Sequence, residues 1–392
     1  MSEHAVAEYA AAVRPRYRQA RKAEKGQILT EFCRVTGYHR KAVIRLLTRP
    51  PERRAVRQGC PPRYGPEVGA ALRCAWEAAD RPCGKRLAPF LRELVTVLER
   101  HGEITIDPPT RATLVRLSAA TIDRLLRPLK RGQNRRPRTQ TAAAGALKGL
   151  VPVRTFGEWA GETPGALQAD LVAHCGDTTA GFYLATLVAV DVATGWTELE
   201  PVWGMGQQRV GSAIHRVRQR LPVPLRSLHT DNGSAFLNAR LVPWCRVEGI
   251  HLTRGRPYRK NDQAWAEQRN WTAVRQLVGY DRYSSKAAFT QLEHLYPLVR
   301  DYLNFCQPMR KLQRKHRVGA KVTKHYDTAQ TPYQRLQRAG VLDVEQRVAL
   351  QVRYHRLNPA HLKREIDASL DQLWRLAERS GAAQRTGQAA AS

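Results

Sequence analysis

The chain has 392 residues, 42% of them hydrophobic and 25% charged, enough for two or three domains with their own cores and the balance of an ordinary soluble protein. Lys and Arg number 65 against 34 Asp and Glu, a formal net charge of +31, so a polyanionic partner is expected, although a ribosomal or packing protein would share that signal. No stretch approaches 18 apolar residues and the first residues lack a charged-then-apolar leader, so neither a membrane span nor a secretory signal is expected and the protein is placed in the cytoplasm.

Residues 1–50 read as a first helical unit. Ile28, Phe32 and Val35 share a helical face, Thr36-Gly37-Tyr38 makes a turn, and Val43, Ile44 and Leu47 give a second short amphipathic helix, a helix-turn-helix pattern. That second helix would show His39, Arg40, Lys41 and Arg45 to a major groove or its phosphates. A plain helical hairpin with a solvated basic face has the same pattern. Pro50-Pro51 and Pro61-Pro62 mark a linker over 51–66. Helices are expected around Glu67 to Ala79 and Lys85 to His101. A second hairpin follows, Arg111 to Leu117, a cap at Ser118, then Ala119 to Leu129 with Ile122, Leu125 and Leu126 inward. Arg124, Arg127 and Lys130 would face out, which makes 67–130 a second helical DNA-binding domain, and two such units suit a long DNA site better than one. Residues 131–150 change to Arg131, Arg135, Arg136 and Arg138 and then to an alanine-rich run, a basic interdomain linker.

An α/β domain is expected over 151–307. The run Ala166 to Ala173 reads as a half-buried strand interrupted by Asp170. Phe182 to Val192 is a second strand, closed by the turn Asp191-Val192-Ala193-Thr194-Gly195, and Thr197 to Trp203 a third, so an antiparallel meander opens the sheet. Val210, Ile214, Val217 and Leu221 have helical spacing that ends at Pro222. Leu225 to Thr230 is the next strand, with Asp231 at its carboxyl end, where open α/β sheets build their sites. Lys260 to Leu277, free of proline and glycine, reads as one helix carrying Glu267. Beyond it, Arg310, Lys311, Arg314, Lys315, His316, Arg317, Lys321 and Lys324 form a dense basic run that could track DNA or be a solvated face. Leucines at 350, 357, 362, 370 and 373 make Val344 to Leu376 helical, so 308–379 is a basic helical extension, and the small polar tail 380–392 is expected to be disordered. The 7 cysteines are scattered without a Cys-x-x-Cys pair, so no zinc module is expected.

A strand acid, a second strand acid 61 positions on and a helix acid with 35 residues between them resemble the catalytic triad of DDE transposases and retroviral integrases. Asp231-Asn232-Gly233-Ser234-Ala235-Phe236, and Arg256-Pro257-Tyr258 before the third acid, strengthen the resemblance. Ala169-Asp170-Leu171-Val172-Ala173-His174-Cys175-Gly176 and Asp191-Val192-Ala193-Thr194-Gly195-Trp196 look like one branch of bacterial insertion-sequence transposases.

The resemblance implies a ribonuclease-H-like mixed sheet flanked by helices, with all-α helix-turn-helix domains before it. It implies that Asp170, Asp231 and Glu267 hold two Mg²⁺ or Mn²⁺ ions for cleavage and strand transfer of double-stranded DNA, at element terminal repeats and target, by a homo-oligomer. The chemistry gives a reason, since phosphodiester transfer uses two divalent ions about 4 Å apart and hard ions take oxygen ligands. Lys260, Arg269 and Arg275 are candidates for phosphate contacts near the third acid. Asp177 and Asp191 are rival acids better explained as turn caps. Asp262 is a closer rival, at the start of the same helix where its dipole would favour an acid. A catalytically silent DNA-binding regulator derived from such an enzyme, or a nuclease that hydrolyses without joining strands, is the alternative.

Overall fold

The computed structural model describes residues 2–48, 64–130, 151–154, 159, 161–256 and 260–378. Residues 51–63 of the linker expected at 51–66, the linker expected at 131–150, Pro257 and Tyr258 of the flanking motif and the tail at 380–392 lie outside the described residues, and Pro66 already begins a helix. Contacts divide the chain into two compact units, Met1–Gly65 and Pro66–Ser392.

In the first unit, helix α1 (Glu3–Gln19) starts at Ser2, whose hydroxyl accepts the Ala5 N–H at 3.2 Å. Helix α2 (Lys22–Thr36) stops at Gly37, which takes the left-handed conformation (φ 72°) that glycine adopts without a Cβ penalty. Helix α3 (Arg40–Thr48) follows directly. Ala10, Phe32, Val43 and Leu47 are fully buried between the three helices. The expected inner face is too wide: Val35 and Ile44 are 51% and 36% exposed, so the apolar stripe of α3 is the i, i+4 pair Val43 and Leu47.

The second unit opens with helices α4 (Pro66–Ala78), α5 (Gly84–Arg100), α6 (Pro108–Leu114) and α7 (Ala119–Leu126). Ser118 caps α7 as its sequence suggests, accepting the Thr121 N–H at 3.2 Å. Gly84 lets α5 approach α7 closely, because a Cβ there would lie 2.1 Å from the Ala119 carbonyl oxygen. These helices are tied to the later chain by the Tyr302 hydroxyl, which donates to Ala78 O at 2.6 Å, and by Arg86 Nε, which donates to Pro308 O at 2.6 Å.

The sheet comprises β1 (Ala166–Ala173), β2 (Ala185–Asp191), β3 (Thr197–Val202), β4 (Ser227–Thr230) and β5 (His251–Arg254), in the order β3-β2-β1-β4-β5. The first three form the expected antiparallel meander, and β4 and β5 add in parallel to β1. Helix α8 (Gln207–Arg220) makes the crossover to β4 and α9 (Leu241–Val247) the crossover to β5. Strand alternation separates two cores. Leu167 and Ala169 of β1, with Leu187 of β2, pack against Val210, Ile214 and Val217 of α8. Val172, Val188 and Val190 face the opposite way, toward helix α11 (Lys286–Asp301) through Leu292, Leu295 and Val299. This is the ribonuclease-H-like mixed sheet flanked by helices that the resemblance implies.

Two segments differ from expectation, and a third, expected helical, is divided in two. The single helix over 260–277 is a 3₁₀ turn (Lys260–Gln263), a short helix α10 (Ala264–Arg269) and a π-helical turn (Asn270–Arg275). The basic run is not helical but an antiparallel hairpin of β6 (Leu312–Val318) and β7 (Lys321–Tyr326). After α12 (Pro332–Arg338), the last helical stretch is two helices, α13 (Val344–Arg356) and α14 (Pro359–Arg375). Pro359 occupies the first turn of α14 and Asn358 caps it, so the chain cannot continue as one rod.

Candidate active site

Asp170 sits late in β1, opposite Val188 of β2, on the strand face it shares with Gln168 and Val172. Its Oδ1 accepts the neighbouring Leu171 N–H at 2.8 Å and its Oδ2 accepts Asn270 Nδ2 at 2.6 Å. Asp231 follows the last residue of the adjacent strand β4. Its Oδ1 accepts the Gly233 N–H at 2.8 Å, and a Cβ on Gly233 would lie 2.8 and 3.2 Å from its two carboxylate oxygens, so glycine is what lets the turn close on the acid. Asn232 pins this turn to β5, donating through Nδ2 to Gly255 O at 2.8 Å and accepting from Arg254 at 3.1 Å. Glu267 comes from α10 and is exposed.

Asp170 feels the other two acids. Burial, the Asp231 charge and, less strongly, the Glu267 charge push the Asp170 carboxyl up to about 7, against the hydrogen bonds from Leu171 and Asn270. Carboxylates crowded in this way favour either a proton or a cation. Among the described residues no three His, Cys, Asp or Glu side chains already converge tightly enough to hold a metal ion. The donor chemistry nevertheless fits a hard divalent ion, since every candidate ligand is a carboxylate oxygen. Beside Asp170, the Asn270 Oδ1 is buried without a hydrogen-bond partner, an oxygen suited to a water of such an ion.

Two positioning residues escaped sequence reasoning. Gln168 is fully buried, donates through Nε2 to Asp262 O at 3.0 Å and accepts the N–H groups of Trp265 and Ala266 at 3.2 and 3.3 Å. Those two amides belong to the first turn of α10, which has no side-chain cap of its own. A residue of β1 therefore caps the helix that carries Glu267, and the Asp170 strand is fixed to it. Asn270 reaches Asp170 from the π-helical turn three residues past Glu267. A polar residue on the inward face of β1, and an amide one helical turn after the third acid, were the available signals.

The rival acids have other tasks. Asp191 accepts the Gly165 N–H and both the N–H and hydroxyl of Thr194, each at 2.7 Å, the turn cap foreseen. Asp262 is fully buried and forked by Arg256, at 2.8 Å from Nε and 2.9 Å from the terminal nitrogen. Asp177 lies in an exposed turn.

The basic candidates divide. Lys41, Arg45 and Arg124 are exposed, and Arg40, also exposed, bonds back to α2 through Thr30 at 3.1 Å and Gly26 O at 3.4 Å. The side chains of Lys130 and Lys260 lie outside the described residues. Arg269 is not a phosphate contact: it is 8% exposed and donates to Gly195 O at 3.4 Å and Met309 Sδ at 3.3 Å. Arg275 is likewise turned inward, donating to Ala173 O at 2.9 Å and Gly279 O at 3.3 Å. Both guanidiniums are held by backbone carbonyls of neighbouring segments. Near Arg275 lies His174, fully buried and bonded to Thr186 at 2.7 Å. Burial, with the Arg275 charge, pushes its imidazole down to about 3 and keeps it neutral.

Residues 162–260 match the integrase core domain family. The chain is similar to the uncharacterized protein y4rM of Sinorhizobium fredii, 46% identical over 329 residues that cover 83% of this chain and 93% of that protein. It is also similar to the catalytic core domain of BIV integrase, with 21% identity and a TM-score of 0.31 over 45% of this chain and 95% of that one.

Proposed function

The chain belongs to the transposase and integrase family built on the integrase core domain, and on that premise we propose that it is a transposase that binds the terminal repeats of a mobile DNA element and catalyses metal-dependent cleavage and strand transfer. The observation that supports the reading is that Asp170 of β1 is pushed up to about 7 by burial and, beyond it, by the charges of Asp231 after β4 and of Glu267 on α10. These carboxylates would hold two Mg²⁺ or Mn²⁺ ions. Bound there, such ions supply activation of the attacking oxygen and stabilisation of the leaving oxygen. Asn270 keeps the Asp170 carboxylate oriented, Gly233 N–H does the same for Asp231, and Gln168 sets the height of Glu267 relative to both. The exposed Lys41 and Arg45 on α3 and Arg124 on α7 would serve terminal-repeat binding, the first two by a helix-turn-helix in residues 1–50. Two element ends must be held together, so the working state is a homo-oligomer on DNA.

The test incubates the purified protein and its Asp231→Asn variant with flanking terminal-repeat duplex and Mg²⁺ and maps nicked and joined products. Cleavage at the element ends by the wild type alone, with binding kept in the variant, supports the transposase. Binding without cleavage by either protein sinks it and leaves the silent regulator, and cleavage without joined products leaves the nuclease.

A further inference from the structure

We propose that the β6–β7 hairpin is a DNA-gripping ribbon that lays one face on the backbone of duplex DNA beside the catalytic acids, and that its root is clamped to the helix of Glu267. The proposal rests on the reading of the chain as a DNA-acting enzyme and adds a surface to it.

The hairpin is an unusual use of sequence. From Met309 to Tyr326 there is no Asp or Glu, while Arg310, Lys311, Arg314, Lys315, Arg317, Lys321 and Lys324 are all cationic. Every residue from Gln313 to Tyr326 is exposed, and Val318 is 64% and Val322 40% exposed, so no core explains why these strands pair. The turn is well made. Val318 pairs with Lys321 across two residues, and of these only Gly319 has positive φ, 56°, the requirement of a type II′ turn. An isolated two-stranded ribbon is marginal in water, so this one draws its order from its root.

Register sorts the charges onto faces. Lys315 stands opposite Lys324 and Arg317 opposite Val322, so one face carries three permanent cations among four residues. The other face carries Arg314, His316, Val318, Lys321, Thr323 and His325. Like charges directly across a strand pair repel, an arrangement that a polyanion laid over the face reverses in sign. A ribbon of two strands about 5 Å apart also has the width to follow a duplex groove.

The root is fixed to the active-site layer. Lys311 Nζ donates to Val192 O at 2.7 Å and Ala193 O at 2.6 Å, and Lys311 N–H donates to Asp327 at 2.6 Å. Asp327 is held by Arg335 at 2.5 Å, which also donates to Met309 O at 2.9 Å. Met309 Sδ is in turn the partner of Arg269, two residues after Glu267 on α10. Its side chain fills the space over Gly195, where a Cβ would lie 2.3 Å from the sulfur. A duplex seated on the ribbon is thereby placed with respect to Glu267.

The experiment measures binding of a labelled random-sequence duplex over a series of salt concentrations, using the full chain with Asp231→Asn so that nothing is cut. A face variant, Lys315→Gln with Arg317→Gln and Lys324→Gln, is compared with an opposite-face variant, Arg314→Gln with Lys321→Gln. Each phosphate neutralised adds about 0.9 to the slope of log affinity on log salt. The face variant is expected to lose about 2 to 3 from that slope and at least about tenfold in affinity at moderate salt, while the opposite-face variant changes little. Losses from the two faces in proportion to the charges removed, three against two, which net charge alone would give, or an unchanged slope in the face variant while the parent still binds, overturn the ribbon and leave the transposase reading standing. No duplex binding by the parent protein overturns both.

Discussion

Replacing Gln168 by Leu keeps the volume of a buried side chain but removes a donor to Asp262 O and the shared acceptor for the Trp265 and Ala266 amides. A buried polar group left without its partner costs about 1–3 kcal/mol, and the two amides share one oxygen, so the loss of stability is about 3 kcal/mol. The functional loss is larger in kind. α10 has no other side-chain cap at its first turn, so it slides relative to β1 and carries Glu267 with it, and a misplacement near 1 Å costs about 100-fold in rate. Gln307→Leu is the matched control. That side chain is also buried and its loss removes a donor to Ala79 O at 2.5 Å and an acceptor for Arg86 at 3.4 Å, partners outside the strands and helix that carry the acids. Both variants are assayed by thermal unfolding and by end cleavage across a Mn²⁺ titration, well below either melting temperature. Gln168→Leu is expected to lose turnover and require more Mn²⁺, and Gln307→Leu to lose stability alone. Equal activity in the two variants would refute the idea that Gln168 sets the position of Glu267.

Three further outcomes follow from the same geometry. Gly233→Ala brings a Cβ to 2.8 Å from Asp231 Oδ1 and is expected to keep the fold, by circular dichroism, while cutting cleavage at least about tenfold through displacement of the acid. Asn270→Ala removes a hydrogen bond that holds the Asp170 carboxyl down, so the acid limb of the pH–rate profile moves to higher pH, and an unmoved limb counts against a role for Asn270. Asp170 itself has a folded value of about 7, raised above its ordinary 3.8 by burial and by Asp231 and Glu267. The folded state therefore binds the proton more tightly than the unfolded chain, and the metal-free protein loses this stability as pH rises from about 4 to about 7. Asp170→Asn flattens that slope in denaturant titrations at several pH values, and divalent cations, which compete with the proton, offset it.

Much of this architecture was legible. β1, β2 and β3 announce themselves by β-rich runs and the Asp191–Gly195 turn, and α8 by the spacing of Val210, Ile214 and Val217. β5 was missed because four residues at the sheet edge, with His251 exposed and Arg254 among them, carry too little alternation. The β6–β7 hairpin was misread because its pairing serves no core: without buried positions the period-two signal is absent, and the lysines and arginines resemble a helix face. The π-helical turn after Glu267 depends on what α10 packs against, so no local propensity encodes it, and with it goes the reach of Asn270 to Asp170. Asp262 was ambiguous for the opposite reason. Its spacing resembles that of a ligand, and only the fork from the exposed Arg256 reveals that its buried carboxylate is already paired.

The most direct test of the central claim is the anomalous difference density from crystals of the protein with terminal-repeat DNA and Mn²⁺. Two peaks about 4 Å apart among the carboxylates of Asp170, Asp231 and Glu267, lost in Asp170→Asn, are the predicted result. Manganese bound elsewhere, or none with DNA in place, would contradict it.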